Sequence, residues 1–171
     1  MRIFIALQPA PAFRDALASV QDRLRAAGVT GRYLTPSNLH LTLAFIGLWP
    51  EDVRGLLPAV EQPFPLTLSH LGVFPKAHVL WAGVEPSEAL ENAARRVRQA
   101  LSAAEIPFDR QDFNPHITLV RKPIVPEHVM LSAIEIPRAA MIVREICLYR
   151  SDHRGNGMEY TVIGRGKKGG A

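Results

Sequence analysis

Two stretches of the chain carry the same polar pair in the same apolar frame. Asn38-Leu39-His40-Leu41-Thr42-Leu43 and Asn114-Pro115-His116-Ile117-Thr118-Leu119 both read Asn-x-His-aliphatic-Thr-Leu. With 6 histidines and as many threonines in 171 residues, random placement gives only about 0.2 His-x-Thr matches. One such match describes an ordinary histidine on a half-exposed strand; a matched pair points to chemistry. Alternation along a strand puts each histidine on one face with its threonine, about 7 Å apart. Leu39, Leu41, Leu43 and Phe45 then share the opposite, apolar face. Imidazole titrates near 6.5, so at neutral pH one ring can take a proton while another gives one. Each role is worth roughly 10²–10⁴-fold in rate. The threonine hydroxyls are suited to donate to oxygens whose charge grows in the transition state. A phosphodiester matches this set: a leaving alkoxide, an in-line nucleophile and non-bridging oxygens that need donors.

Each motif needs a strand, and the surrounding sequence supplies equivalent settings. Residues 2–7 (RIFIAL) and 79–84 (VLWAGV) are rich in strand formers, and each is followed by a proline and a helical pattern. In the first predicted helix Phe13, Leu17, Val20 and Leu24 share a face, and Gly28 stands at its C-terminal end. In the second, Leu90, Ala94, Val97 and Leu101 form the stripe, Ser87 is the N-cap, Glu88 and Glu91 suit the positive end of the dipole, and Pro107 ends it. The chain therefore reads as two copies of strand–helix–strand, each ending in a histidine-bearing strand. Glu51–Val60 is expected as a short helix and Leu66–Phe74 as a strand. Met141–Tyr149 and Met158–Ile163 are expected as strands joined by a loop with Asn156-Gly157. The fold class is α+β: one bilobal domain over residues 1–171, mostly antiparallel sheet with helices outside, and a basic, flexible tail over 164–171. A two-fold relation between the copies would turn both His-x-Thr faces into one cleft.

NLHLTLAFIG, NPHITLVR, the MRIFIAL start and VLWAGV between them make the chain similar to the two-histidine (2H) phosphoesterase superfamily. Within it the chain resembles the LigT-like RNA 2′,3′-cyclic phosphodiesterases of bacteria and archaea, over nearly its whole length. The resemblance implies hydrolysis of a 2′,3′-cyclic phosphate at an RNA end to a 2′-phosphomonoester, in a groove between two lobes, with no metal and no cofactor. It implies His40 as proton donor to the leaving 3′ oxygen, His116 as the acceptor that activates water, and Thr42 and Thr118 as holders of the phosphate. Phe45 and Arg121 stand where the family has base- and phosphate-contacting residues. Simple alternation puts both on the face opposite the histidines, so a bulge or a strand end must bring them round. The tail GRGKKGGA departs from the apolar ending of the group. Family relatives leave open a small cyclic nucleotide or a 2′–5′ linkage as substrate, and RNA joining, as of tRNA halves, by the reverse reaction. From another class, a non-catalytic RNA-end binding protein is the alternative; two groups that titrate near neutrality argue against it.

Composition narrows the remaining classes. Hydrophobic residues make up 47% and charged residues 21%, which excludes a disordered chain. The lone Cys147 excludes a disulfide framework and a cysteine-rich zinc module. No apolar run reaches the roughly 20 residues of a membrane span, and a soluble, cytoplasmic monomer is the expectation. The net charge of +4 draws on Arg165, Lys167 and Lys168 in the tail, which read as solvated. No Gly-x-x-x-x-Gly-Lys loop is present, which disfavours triphosphate hydrolysis. Asp109 and Asp112 lie near His116 in sequence, but no carboxylate-rich cluster joins the histidines, so no metal site is expected. Arg32 and Tyr33 are candidates for the groove entrance, and Arg121-Lys122 for a nucleic-acid backbone. Arg95, Arg96 and Arg98 read as a solvated helical face, Trp81 and Cys147 as strand core, and His70, His78, His128 and His153 as structural or surface residues.

Overall fold

The computed structural model describes residues 1–168. In chain order the elements are β1 (Arg2–Leu7), α1 (Pro11–Ala26), β2 (Thr30–Tyr33), β3 (Leu41–Leu48), β4 (Phe64–Phe74), β5 (Val79–Val84), α2 (Glu88–Ala103), β6 (Ile117–Ile124), β7 (Ala140–Val143), β8 (Cys147–Arg154) and β9 (Gly157–Arg165). The strands form a 9-stranded antiparallel sheet in the order β7-β4-β5-β6-β3-β1-β8-β9, with β2 off this path against β6. At its middle Leu41 of β3 faces Ile117 of β6. These two residues hold the same place in the two motifs, and antiparallel pairing of equivalent residues sets a local two-fold axis between them. The flanking ladders obey that axis. Ile5, Ala6 and Leu7 pair with Ala44, Thr42 and Leu41; Leu80, Trp81 and Ala82 pair with Val120, Thr118 and Ile117.

Both helices form where the apolar spacing predicts them. α1 buries Phe13, Leu17, Val20 and Leu24 and starts with Pro11 in its first turn, where the missing N–H costs nothing. α2 buries Leu90, Ala94, Val97 and Leu101, and Ser87 Oγ accepts the Leu90 amide at 3.1 Å. The stripes join Leu39, Leu41, Leu43, Ile117 and Leu119 in the main core. Each fully buried leucine contributes roughly 1.5–3 kcal/mol. A smaller apolar cluster of Phe4, Ala6, Cys147 and Tyr149 lies apart from it.

Several expectations need correction. His40 and His116 each sit one residue before their strand rather than within it. Glu51–Val60 is not a helix but a single 3₁₀ turn at Arg54–Leu56. There Asp52 accepts the Arg54 amide at 2.9 Å and pairs with its guanidinium at 2.7 Å, a local bond that competes with helix, and Pro58 stops continuation. The segment Met141–Tyr149 is two strands. β7 pairs with β4, and after Val143 the chain crosses through the charged Arg144-Glu145 to pair β8 with β1. The hairpin closes on Gly155-Asn156 rather than Asn156-Gly157, with Gly155 at φ +54 and Arg154 opposite Gly157. β2 has no counterpart among the expected strands. The supposed tail is bound at its start: Gly164 and Arg165 belong to β9, and the Gly166 amide donates to Ile146 O at 2.8 Å. Residues 169–171 lie outside the described residues.

Gly31 of β2 shows how closely that strand lies on β6. Its φ is +144, and a Cβ there would stand 2.7 Å from Val120 Cγ1 and 2.9 Å from the Lys122 carbonyl. Gly31→Ala is expected to lower stability by about 1–3 kcal/mol. Gly55→Ala, with nothing within 4 Å of the added atom, should change it by less than about 0.5 kcal/mol. Urea unfolding of both variants checks this; equal midpoints would refute the close approach.

Candidate active site

The two ladders share an irregularity. Between Ala6↔Thr42 and Ile5↔Ala44 the β3 strand carries one extra residue, Leu43. Between Trp81↔Thr118 and Leu80↔Val120 the β6 strand carries Leu119 in the same way. One extra residue reverses the facing of everything beyond it. Phe45 and Arg121 thereby come to the face of Thr42 and Thr118, as required if they are to reach the groove. A cavity of about 530 Å³ is lined by His40, Thr42, Phe45, His116, Thr118 and Arg121. The two motifs thus meet in one groove, and it continues past His40 toward Arg2, His153 and Tyr160.

Backbone carbonyls orient both imidazoles. His40 Nδ1 lies 2.7 Å from Asn38 O, and His116 Nδ1 lies 2.6 Å from Asn114 O. A carbonyl only accepts, so each Nδ1 carries the proton, and Nε2 is the nitrogen left for chemistry. Asn38 itself is fixed: its Nδ2 donates to Met158 O at 2.7 Å and its Oδ1 accepts the Tyr160 amide at 3.1 Å. His40 stands among Phe4, Tyr160 and Tyr149, with centroids 4.7, 5.2 and 5.7 Å away. His116 has Phe74 at 4.9 Å and Trp81 at 6.3 Å. Burial pushes His40 down to about 4, against the pull of its Asn38 bond, and the charges of Arg121 and His116 add to the fall. Burial also lowers His116, opposed by the Asn114 bond and helped by Arg121. Both shifts favour the neutral imidazole near pH 7.

The bulges are braced by side chains from the helices. Gln21 of α1 donates from Nε2 to Leu119 O at 3.0 Å and to Leu34 O at 2.8 Å. Arg98 of α2 donates from Nε to Leu43 O at 3.2 Å and from Nη1 to Gln111 O at 2.8 Å. Each helix thus braces the bulge that follows the other copy's motif. Neither residue is marked by its local sequence; aligning the two helices on one another would have paired Gln21 with Arg98.

Other candidates sort by position. Arg32 pairs with Arg121 across β2 and β6, but Tyr33 turns away, donating to Val29 O at 2.7 Å beneath the Arg25 guanidinium. Neither lines the cavity. Lys122 is exposed at φ +50. Asp109 and Asp112 line the cavity wall, where Asp109 Oδ1 accepts the Gln111 amide at 3.0 Å. Among the described residues no three His, Cys, Asp or Glu side chains gather as a metal site. Trp81 is half-buried between His70 and Phe74 rather than core. Arg96 donates to Ala59 O at 2.8 Å, and Arg98 is half-buried, so that face of α2 is not wholly solvated. Cys147 is buried and its thiol is pushed up to about 11, which makes it inert.

The sequence pattern of the 2′-5′ RNA ligase superfamily matches residues 9–155. The chain is 29% identical to an RNA 2′,3′-cyclic phosphodiesterase of Methanothermobacter thermautotrophicus, over 94% of this chain and 95% of that one. It is 30% identical to the Thermus thermophilus protein of the same name, over 95% and 88%, and 32% identical to that of Escherichia coli, over 79% and 78%. Its fold matches E. coli LigT complexed with 3′-AMP at a TM-score of 0.76, with 27% identity over 96% of this chain and 95% of LigT.

The burial of His40 has a measurable sign. Unfolding frees the ring to titrate at its ordinary value, so stability present above pH 6.5 is lost as pH falls toward 4. Wild-type urea midpoints should fall more steeply between pH 7.5 and 4.5 than those of His40→Gln. Parallel curves would mean the ring is not desolvated.

Proposed function

Because the chain belongs to the 2′-5′ RNA ligase superfamily, the two-histidine phosphoesterases, we propose that it hydrolyses 2′,3′-cyclic phosphate ends of RNA to 2′-phosphomonoester ends. The observation that carries this reading is the pair of imidazoles with identical backbone bonds at equivalent positions of one groove. The names of its relatives support the substrate. In the proposed step His116 Nε2 takes a proton from water, the water oxygen bonds to phosphorus, and the bond from phosphorus to O3′ breaks. His40 Nε2–H gives its proton to O3′. Thr42 and Thr118 donate to the non-bridging oxygens, Arg121 offsets their charge and Phe45 offers a face to the base. Acid, base and charge stabilisation all come from side chains, so no metal enters the proposal. A 5′-hydroxyl in place of water would make the same step a strand-joining reaction, the activity named in the family's description.

The depressed titrations bear on the roles. Both shifts favour the neutral rings, with Nε2 bare, and His40 is the ring pushed down to about 4. A bound phosphate anion opposes Arg121 and favours the imidazolium. The donor role of His40 requires this bound anion, whose charge favours uptake of a proton from solvent by the ring. Among the described residues no helix is long and apolar enough to cross a membrane; a cytoplasmic location remains part of the proposal.

Turnover of 2′,3′-cyclic nucleotides tests the reading. His40→Ala and His116→Ala should each lower kcat by roughly 10²–10⁴-fold. The double variant should be little worse than the poorer single one, because acid and base act in one step. The profile of kcat/KM, which reports the free enzyme, should be bell-shaped with its maximum below pH 6.5, and that of kcat should be displaced upward. Near-normal turnover in either single variant removes that histidine from the mechanism. Activity should also survive a strong chelator; loss with recovery on adding Mn²⁺ or Zn²⁺ would overturn the metal-free step and point to Asp109 and Asp112.

A further inference from the structure

A second cavity, of about 490 Å³, adjoins the groove on the α2 side. Arg98 and Phe113 line both spaces, so the two adjoin at these side chains. Arg95, Arg110 and Phe108 also line it, and Glu91 is its carboxylate. The Arg110 guanidinium lies 4.5 Å from the Phe108 centroid, and that of Arg98 lies 5.8 Å from both Phe108 and Phe113. Arg98 is committed to two carbonyls and Arg95 to the Asn92 side chain. Ion pairs among the described residues involve none of these three arginines. The cavity therefore combines positive charge that no carboxylate pairs with and two aromatic rings, on a wall it shares with the proposed RNA-end site.

Arginine beside aromatic faces is the chemistry of single-stranded nucleic acid binding: guanidinium holds phosphate, and bases stack on rings without regard to sequence. A cyclic phosphate terminates the chain at its 3′ side, so all remaining nucleotides lie 5′ of it and must leave the groove through an opening. The groove's other exit, past Arg2 and His153, is lined by Phe45 and Arg121, already assigned to the reacting end, and by Phe4 and Tyr160, which pack on His40; the α2 opening offers arginines and phenylalanines together outside that set. We propose that this second cavity holds the single-stranded nucleotides immediately 5′ of the reacting end. The inference rests on the groove's receiving an RNA end. It adds a length preference that catalysis alone does not require.

Equilibrium binding tests it separately from turnover. The probes are a hexaribonucleotide ending in a 2′-phosphate, followed by fluorescence anisotropy, and a nucleoside 2′-phosphate, followed by calorimetry. Wild type should bind the hexamer about tenfold or more tightly than the mononucleotide, the worth of a stacked base. Arg95→Glu/Arg110→Glu should abolish that difference while mononucleotide binding holds. The slope of log Kd for the hexamer against log salt should become shallower by about 0.7 for each phosphate that the variant no longer neutralises. Phe108→Leu should weaken the hexamer without changing the slope. If the charge reversal disturbs folding, seen as lost mononucleotide binding, Arg95→Gln/Arg110→Gln supplies the same comparison. Hexamer affinity unchanged in these variants, or a length preference lost in Arg2→Glu instead, overturns the proposal. A hexamer held here whose cyclic form is not hydrolysed would sustain this site and sink the proposed reaction.

Discussion

In each half of the groove one leucine, Leu43 or Leu119, has no partner across its ladder. Strict alternation would leave Phe45 and Arg121 on the core face. The extra residue turns them into the groove but leaves a carbonyl out of register in the interior. A buried carbonyl without a donor costs about 1–3 kcal/mol. Arg98 donates to Leu43 O, and Gln21 joins the Leu34 amide on Leu119 O. This explains why Gln21 is buried to 2% exposure in a helix face otherwise made of leucine, valine and phenylalanine. Phe45 and Arg121, the bulges and the polar side chains of the helices form one solution to one parity problem.

Symmetry of the backbone does not extend to the environments of the two rings. Phe4 occupies the place that Val79 holds in the other copy, Ala6 that of Trp81, and Tyr149 that of Phe74. His40 is consequently enclosed by three aromatic rings, and His116 stands nearer the open wall that carries Asp109 and Asp112. Burial differs accordingly, and with it the ease of protonation. Two identical side chains with identical tautomers can divide the labour of acid and base only if something outside the repeat distinguishes them, and these aromatic substitutions do so. Arg121 has only Phe45 as its counterpart, so the single guanidinium adds a further asymmetry between two equivalent strands.

Local patterns made much of this legible. The helices, β1, β5 and the repeated motif follow from spacing of apolar residues, because each buries one face against the same core. The need for a bulge before Phe45 and Arg121 follows from parity once the family resemblance assigns both residues to the groove. What escaped is what depends on partners distant in the chain. The break between β7 and β8 is marked by the charged pair Arg144-Glu145, but alternation alone reads through it, and only the pairing shows that the two pieces have different neighbours. β2 is short and mostly exposed, Thr30 and Arg32 among its residues, and exists as a strand because β6 offers it an edge. In the sequence Arg98 reads as one of three solvated charges; its role emerges only once Leu43 is seen to lack a ladder partner.

The crossed braces carry a consequence for how such a chain is assembled. Gln21 reaches from the first copy to the second, and Arg98 from the second to the first. β3 and β6, by contrast, share only the Leu41–Ile117 pair. The donors that shape each motif are therefore supplied in trans by the other repeat. That is the geometry of an isologous dimer joined end to end, in which one patch meets its own equivalent across a two-fold axis. A single repeat would have the histidine and the threonine but not the donor for its bulge.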